Sequence, residues 1–143
     1  MKLLKHIKVD FKNNLIIFKY QGSDDIIYKT QKNQFIENSG LTIKNPEVGI
    51  KAYLLPLNEW GSSLICGHII DNIAGLLQKN KLENIILFVD FNGITQISKS
   101  FCEEYFKFML TTPSKVININ MNTNINNTFV SYIDSVVEYQ EEV

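Results

Sequence analysis

The residues best suited to chemistry follow a run of five apolar residues, Ile85 to Val89, after which the chain turns abruptly polar. They are Asp90, Asn92, Gly93, Ser98, Lys99 and Ser100. A carboxylate after a strand can accept a phosphoryl group or bind a metal, and a serine at a helix start can be phosphorylated. The segment has no histidine, no cysteine pair and no glycine-rich phosphate loop. We therefore predict that it recognises a partner rather than catalyses a reaction.

Three of these side chains also have a purely structural interpretation. Ser100 and Glu103 have the spacing of a capping box, which predicts Ser100 as the cap of the next helix rather than as a phosphorylation site. Ser98 is the other candidate phosphorylation site, although turn chemistry accounts for it equally well. Asp90 is predicted to accept hydrogen bonds from backbone N–H groups of its own turn.

Patterns typical of catalysis or metal binding do not occur elsewhere in the sequence. Glu103 and Glu104 are adjacent, so on a helix they point to different sides and do not form an acid–base pair. The two histidines, His6 and His68, are far apart in the chain. Cys102, like Cys66, has apolar neighbours, which favours a buried free thiol over a reactive or disulfide-bonded one. We expect no enzymatic activity, no cofactor and no metal.

The composition is that of an ordinary globular chain. Its 143 residues, 45% hydrophobic and 20% charged, suit one domain, 1–143. A net charge of −1 gives no field to attract nucleic acid or anionic lipid. All 14 basic residues are lysine, which argues against bidentate recognition of phosphate or guanine, although a bias in composition also explains the missing arginine. Because no membrane span or signal peptide is recognisable, a cytoplasmic location is predicted.

The hydrophobic pattern predicts the elements that position these residues. Alternating residues on both sides of Asn13 and Asn14 predict a β-hairpin, followed by a short strand at 24–28. Residues 29–49 are the least defined part, either a short helix or a loop. The remaining predictions are a strand at 51–55, a helix at 64–79 capped by Ser62 or Ser63, a strand at 84–89, a helix starting at Ser100, a strand at 115–119 and a last helix capped by Asn124 or Asn126.

This order predicts an α/β fold with a mixed, mostly parallel sheet that is covered by helices and carries the N-terminal β-hairpin at an edge. The apolar strand at 84–89 should be central, with both faces covered and a parallel neighbour. The helix after Ser100 has two apolar sides. One side must pack on the sheet, and the other is expected to meet a second helix, residues 29–49 or a partner chain. The two sides are Phe101, Tyr105 and Phe108, and Cys102, Phe106 and Met109.

The region resembles the STAS-like domain family of bacteria and phages. Members of that family have a strand ending in Asp-Phe-x-Gly, then Ile-Ser-x-Ser-Phe and an acidic residue on the following helix. This chain has Asp90-Phe91-Asn92-Gly93-Ile94 and Ile97-Ser98-Lys99-Ser100-Phe101-Cys102-Glu103, and its run Val116 to Asn120 resembles the family's next strand. The resemblance implies a STAS-like core at 58–138, preceded by N-terminal strands and a variable excursion at 1–57.

The resemblance implies a non-catalytic regulatory module, similar in fold to sulfate-transporter and anti-sigma-factor-antagonist domains. In those antagonists a serine at the start of this helix is phosphorylated by a kinase-type ATPase, so a histidine-kinase-like ATPase is the implied partner. In this chain Lys99 takes the place of that serine, and Ser98 and Ser100 flank it. A homodimer is compatible with the sequence. The alternative function is small-ligand or nucleotide sensing in a crevice between residues 90–98 and 118–124.

Overall fold

The computed structural model describes residues 4–38, 50–65, 67–82 and 84–142, and it begins with three consecutive strands. The strands are β1 Lys5–Lys12, β2 Leu15–Tyr20, β3 Ile26–Gln31, β4 Ala52–Pro56, β5 Ser63–Leu64, β6 Ile86–Asp90, β7 Gln96–Ile97 and β8 Lys115–Ile119. The helices are α1 Lys32–Asn38, α2 His68–Lys79, α3 Lys99–Thr111 and α4 Thr123–Glu142, and a 3₁₀ turn spans Leu57–Trp60. From β4 onward strands and helices alternate as predicted, with the short strands β5 and β7 as additions.

Six strands form one mixed sheet in the order β3-β2-β1-β4-β6-β8. β4, β6 and β8 are parallel, whereas β1 runs antiparallel to both β2 and β4, and β2 runs antiparallel to β3. The prediction of a mostly parallel sheet is therefore wrong, since three of its five pairings are antiparallel. The reason is that the short turns after β1 and β2 can join only antiparallel neighbours, and all three N-terminal strands enter the main sheet.

The strand β6 lies inside the sheet between β4 and β8 and is parallel to both. It is one strand from the edge, so it is an interior strand rather than the central one. Ile86, Leu87, Phe88 and Val89 are all fully buried, with their side chains alternating between two hydrophobic cores. The prediction that both faces of this strand are covered and that it has a parallel neighbour is confirmed.

The sheet curls around the core that contains Phe18, Phe35 and Phe88. Phe18 on β2 and Phe88 on β6 are three strands apart, a distance of about 14 Å in a flat sheet. Their ring centroids are only 5.0 Å apart. Tyr28 on β3, one strand further away, still lies 5.9 Å from Phe88 by the same measure. On this face the described strands therefore close over their own side chains, with Phe35 of α1 added.

Helices α2, α3 and α4 cover the other face. Phe101, Tyr105 and Phe108 of α3 are buried there. On the second side of α3, the ring of Phe106 lies 6.5 Å from that of Phe129 and 5.8 Å from that of Tyr132, both on α4. Of the three neighbours expected for this side, a second helix, residues 29–49 or a partner chain, the structure shows the first, because α4 packs against it.

Two helices start at different residues from those predicted. Helix α2 begins at His68, and neither Ser62 nor Ser63 caps it, because the chain first forms strand β5. Helix α4 begins at Thr123, and the Oδ1 atom of Asn122 accepts a hydrogen bond from the N–H of Ile125 at 2.9 Å. Asn122 is thus the capping residue, rather than Asn124 or Asn126.

Parts of the predicted N-terminal excursion are described and parts are not. Residues 26–38 form β3 and α1, so the short helix considered for 29–49 is present at Lys32–Asn38. Residues 39–49 and Cys66 lie outside the described residues. Within the described part of the chain, no helix combines the length and apolar character needed to cross a bilayer.

Candidate functional site

The predicted site residues lie together at the carboxyl ends of the parallel strands. Asp90 is the last residue of β6, Asn92 and Gly93 form the turn that follows, and Ser98 directly precedes α3. Loops that leave parallel strands at their carboxyl ends meet at one edge of the sheet. Here the segment after β4, residues 57–65, and the segment after β8, residues 120–122, meet the segment after β6, residues 91–98.

Asp90 organises the turn that follows it. Its Oδ1 atom accepts a hydrogen bond from the backbone N–H of Asn92 at 2.9 Å, as predicted. The same oxygen accepts a second bond, at 2.9 Å, from the side-chain amide of Asn120 in the segment after β8. Asn120 has a φ of 58°, in the left-handed region that asparagine tolerates better than most residues. The carboxylate therefore positions two loops at once.

Further hydrogen bonds join the segments that follow β6 and β8. The N–H of Phe91 donates to the carbonyl of Ile119 at 3.0 Å, and the side-chain amide of Asn122 donates to the carbonyl of Ile94 at 3.0 Å. Together with the bond between Asp90 and Asn120, they bridge the predicted crevice between residues 90–98 and 118–124. The two segments are therefore joined by three hydrogen bonds at the location where this crevice was predicted.

A two-residue parallel ladder between β5 and β7 connects the segment after β4 to the segment after β6. Leu64 and Ile97 of this ladder are buried and anchor it to the core. Ser63 and Gln96 are exposed, and the hydroxyl of Ser63 donates to the Oε1 atom of Gln96 at 3.2 Å. Sequence reasoning missed this ladder because two residues are too few to show a strand period.

Ser98 caps helix α3. Its Oγ atom accepts a hydrogen bond from the N–H of Phe101 at 3.0 Å and donates to the carbonyl of Ile65 at 3.0 Å. The prediction that Ser100 caps the helix is wrong, because an N-cap needs a non-helical backbone and Ser100 already lies in the first helical turn. The hydroxyl of Ser98 is therefore used structurally, whereas Ser100 is exposed and its side chain has no hydrogen-bond partner among the described residues.

Replacing Ser98 with alanine should lower the free energy of unfolding by about 1–2 kcal/mol, since it removes the cap and the donor to Ile65. Urea unfolding measures the change. Ser100→Ala is the matched control and should stay within about 0.5 kcal/mol of the wild type. Ser98→Thr keeps the hydroxyl, so its free energy of unfolding should fall by less than that of Ser98→Ala. Equal losses for Ser98→Ala and Ser100→Ala would contradict the assignment of the cap.

Several side chains on this frame are left available to a partner. Ile65 is the most notable, because 64% of this apolar residue is exposed and its backbone carbonyl is fixed by Ser98. Lys99 is exposed and forms no ion pair within the described residues. The chain also passes close to the helix start, since a Cβ atom at Gly67 would lie 3.1 Å from the Ser100 hydroxyl. The docking surface is defined here as Ser63, Ile65, Asn92, Gln96, Lys99 and Ser100.

Groups with catalytic or metal-binding chemistry do not converge near this surface. No three histidine, cysteine or acidic residues among those described are placed to hold a metal ion. Cys102 is fully buried, and burial raises the pKa of its thiol, which keeps it protonated at neutral pH. His68 is exposed at the start of α2, with its Nδ1 atom 3.4 Å from a carboxylate oxygen of Asp71.

Comparisons with known proteins add no relative. No family model, curated protein or solved structure matches this chain. The resemblance to the STAS-like family therefore rests on the motif around Asp90 and Ser98 and stays a prediction.

Proposed function

We propose that this chain is a non-catalytic regulatory module that binds a partner protein through the docking surface at the start of α3. The observation that carries the proposal is that the hydrogen bonds of Asp90 and Ser98 hold the loops as a frame, whereas Ile65, Lys99 and Ser100 on its surface stay exposed. Because this frame is already ordered, binding would cost little conformational entropy.

The chemistry of the docking surface suits a protein partner. Ile65 supplies an exposed apolar group, and Ser63, Gln96, Lys99 and Ser100 are polar neighbours along the ladder and helix start. An apolar centre surrounded by polar groups is the usual anatomy of a protein interface. Lys99 is the cationic member of this six-residue set, so an acidic group of the partner is expected to face it.

The regulatory part of the proposal concerns Ser100. The resemblance implies a histidine-kinase-like ATPase as partner and a serine at this helix start as its target. Ser100 is the better-supported target, since modifying Ser98 would break both bonds of the cap. A phosphate adds nearly two negative charges. On Ser100 it would stand next to Lys99 and reverse the charge that an acidic partner group meets.

The proposal predicts that Ile65→Asp and Lys99→Glu each weaken partner binding by at least about tenfold, because they place a charge in the apolar centre and reverse the one cationic group. Lys12→Glu is the matched control. Lys12 is an exposed lysine at the end of β1 that lies beyond the amino end of β4, away from the docking surface.

The measurement has two stages. A photo-crosslinking amino acid at Gln96 captures the partner in native cells, with the same group at Lys12 as control, and mass spectrometry identifies the captured protein. Titration calorimetry with the purified partner then compares the variants. The proposal fails if Gln96 captures nothing that Lys12 does not also capture. It fails equally if Ile65→Asp and Lys99→Glu bind the purified partner as tightly as Lys12→Glu does.

A further inference from the structure

A cleft of about 520 Å³ lies at the end of the sheet opposite the docking surface. The carboxyl ends of α2 and α3 form its walls, at the points where the chain turns towards the amino ends of β6 and β8. Small-molecule sites in proteins have volumes of roughly 300–1,000 Å³ and combine an apolar lining with a few polar groups. This cleft falls within that range and is independent of the proposed protein-binding role.

The floor of the cleft is apolar. It includes Leu77 of α2 and Phe108 of α3, which belong to the helix-covered core and are only 6% and 8% exposed. Leu82, half-buried, continues this floor on the segment between α2 and β6. A ligand seated here would place hydrocarbon against these three side chains, so the body of the ligand must be apolar.

Among the described residues that line the cleft, one carries a full charge. Lys81 is exposed and forms no ion pair within the described residues, and no acidic residue lines the cleft among them. Its backbone is held at a φ of 54° by two hydrogen bonds, from its own N–H to the carbonyl of Gln78 at 3.1 Å and from the N–H of Leu82 to the carbonyl of Leu77 at 2.9 Å. The geometry therefore fixes the backbone from which this ammonium group extends.

The carboxyl ends of α2 and α3 offset the positive charge of Lys81 only in part. Carbonyl groups at the carboxyl end of a helix carry a partial negative charge. At the ends of α2 and α3, several of these carbonyl groups already accept hydrogen bonds. The carbonyl of Leu76 accepts from the backbone N–H and the side-chain amide of Asn80, at 3.2 and 2.8 Å, and the carbonyl of Phe108 accepts from the N–H of Thr112 at 2.9 Å. Lys81 thus carries the one complete charge among the described lining residues.

We infer that this cleft binds a small amphipathic carboxylate, with its apolar body on Leu77, Leu82 and Phe108 and its carboxylate paired with Lys81. Thr112 also lines the cleft, and its side chain carries a hydroxyl group. It accepts a bond from the N–H of Ser114 at 3.4 Å, so its own proton is available to a carboxylate oxygen. A monocarboxylate with one short hydrocarbon chain meets all of these features.

Octanoate tests the inference, with octanamide and octylamine as probes of the same length and different charge. Thermal melting and titration calorimetry on the full chain report binding, because a ligand of the folded state raises its stability. We expect octanoate to raise the melting temperature and to bind at least about tenfold more tightly than octanamide, and octylamine to bind most weakly. Equal binding of octanoate and octanamide, or no effect of octanoate, would overturn the inference.

Variants separate this site from general detergent-like binding. Lys81→Gln removes the charge and should weaken octanoate binding about tenfold, whereas Lys79→Gln, a lysine of α2 that does not line the cleft, should leave it unchanged. Ala74→Phe places a ring in the cleft and should abolish binding. If circular dichroism shows Ala74→Phe to be unfolded, the comparison of Lys81→Gln with Lys79→Gln decides alone. Unchanged affinity in Lys81→Gln, or in folded Ala74→Phe, would show that octanoate binds elsewhere.

Discussion

Replacing Phe88 with alanine should lower the free energy of unfolding by about 3–5 kcal/mol, the largest loss we expect from a single substitution in this chain. Phe88 is fully buried on β6, and its ring meets those of Phe18 and Tyr28 across the curl of the sheet. Strands on both sides hold the backbone around it, so the cavity left by alanine has little means to collapse. Urea unfolding measures the loss, and Leu110→Ala, at a position that is 79% exposed, is the control expected to change stability by under about 0.5 kcal/mol.

A double-mutant cycle tests whether the curl is the cause. Phe18→Leu and Phe88→Leu keep the core apolar, and the two rings are expected to couple by about 0.5–1.5 kcal/mol. Leu87 is the neighbour of Phe88 in sequence, but its side chain lies in the opposite core. A cycle between Phe18→Leu and Leu87→Ala should therefore be additive to within about 0.5 kcal/mol. Additivity in both cycles would contradict a sheet that closes over Phe88.

The same strand shows what the sequence could reveal about the fold. Five consecutive apolar residues, Ile85 to Val89, indicated a strand buried on both faces, because a half-exposed strand alternates. Such an apolar run predicts how deeply its own strand is buried, but not which distant residues contact it. The curl depends on a contact between Phe18 and Phe88, which are far apart in the chain, and the pairing of β1 with β4 is equally non-local. Neither leaves a periodic signal, so the antiparallel half of the sheet was underestimated.

The helix caps show a different limit. Ser98 and Ser100 both lie near the start of an apolar helical pattern, and Glu103 made Ser100 fit a capping box. What decides between them is where the extended backbone ends. That point is set by the ladder of β7 on β5, which holds residues up to Ile97 extended and leaves Ser98 as the last non-helical residue. Asn122 was not predicted as the cap of α4, because several asparagines near this helix start are equally good candidates by sequence.

The sequence predicted which residues would lie together better than it predicted the contacts that position them. The motif around Asp90 indicated the loop and the helix start, and these residues do lie together at the carboxyl ends of the strands. Ser63 and Ile65 were not predicted as part of the site, and Asn120 was predicted only as part of the alternative ligand crevice, because these residues belong to the loops after β4 and β8. Only the order of β4, β6 and β8 in the sheet brings these loops together, so the apolar centre of the docking surface emerged from the structure alone.

Tyr105 provides the second large prediction, a loss of stability at alkaline pH. It is fully buried beneath α3 between the rings of Phe101 and Phe108, at centroid distances of 5.5 and 6.2 Å, and its hydroxyl donates to the Oδ1 atom of Asn118. Burial raises the pKa of Tyr105 well above its ordinary value. In the unfolded chain this tyrosine ionises near pH 10, so above that pH the unfolded state binds fewer protons than the folded state. Below about pH 10 Tyr105 therefore makes its full contribution to the free energy of unfolding. Well above the unfolded-state pKa this contribution falls by about 1.4 kcal/mol per pH unit, until the folded-state pKa is reached.

Tyr105→Phe isolates this contribution, because the other tyrosines and the lysines titrate in both proteins. Near neutral pH the variant should be less stable than the wild type by about 1–2 kcal/mol, since Asn118 loses its donor. That difference should narrow by about 1 kcal/mol between about pH 10 and 11, because only the wild type loses stability through this residue and its unfolded state is already half ionised at pH 10. Urea unfolding of both proteins across this range measures it. A difference that stays constant with pH would mean that Tyr105 ionises as readily in the folded protein as in the unfolded chain. The aromatic layer between α3 and the sheet would then have to admit water.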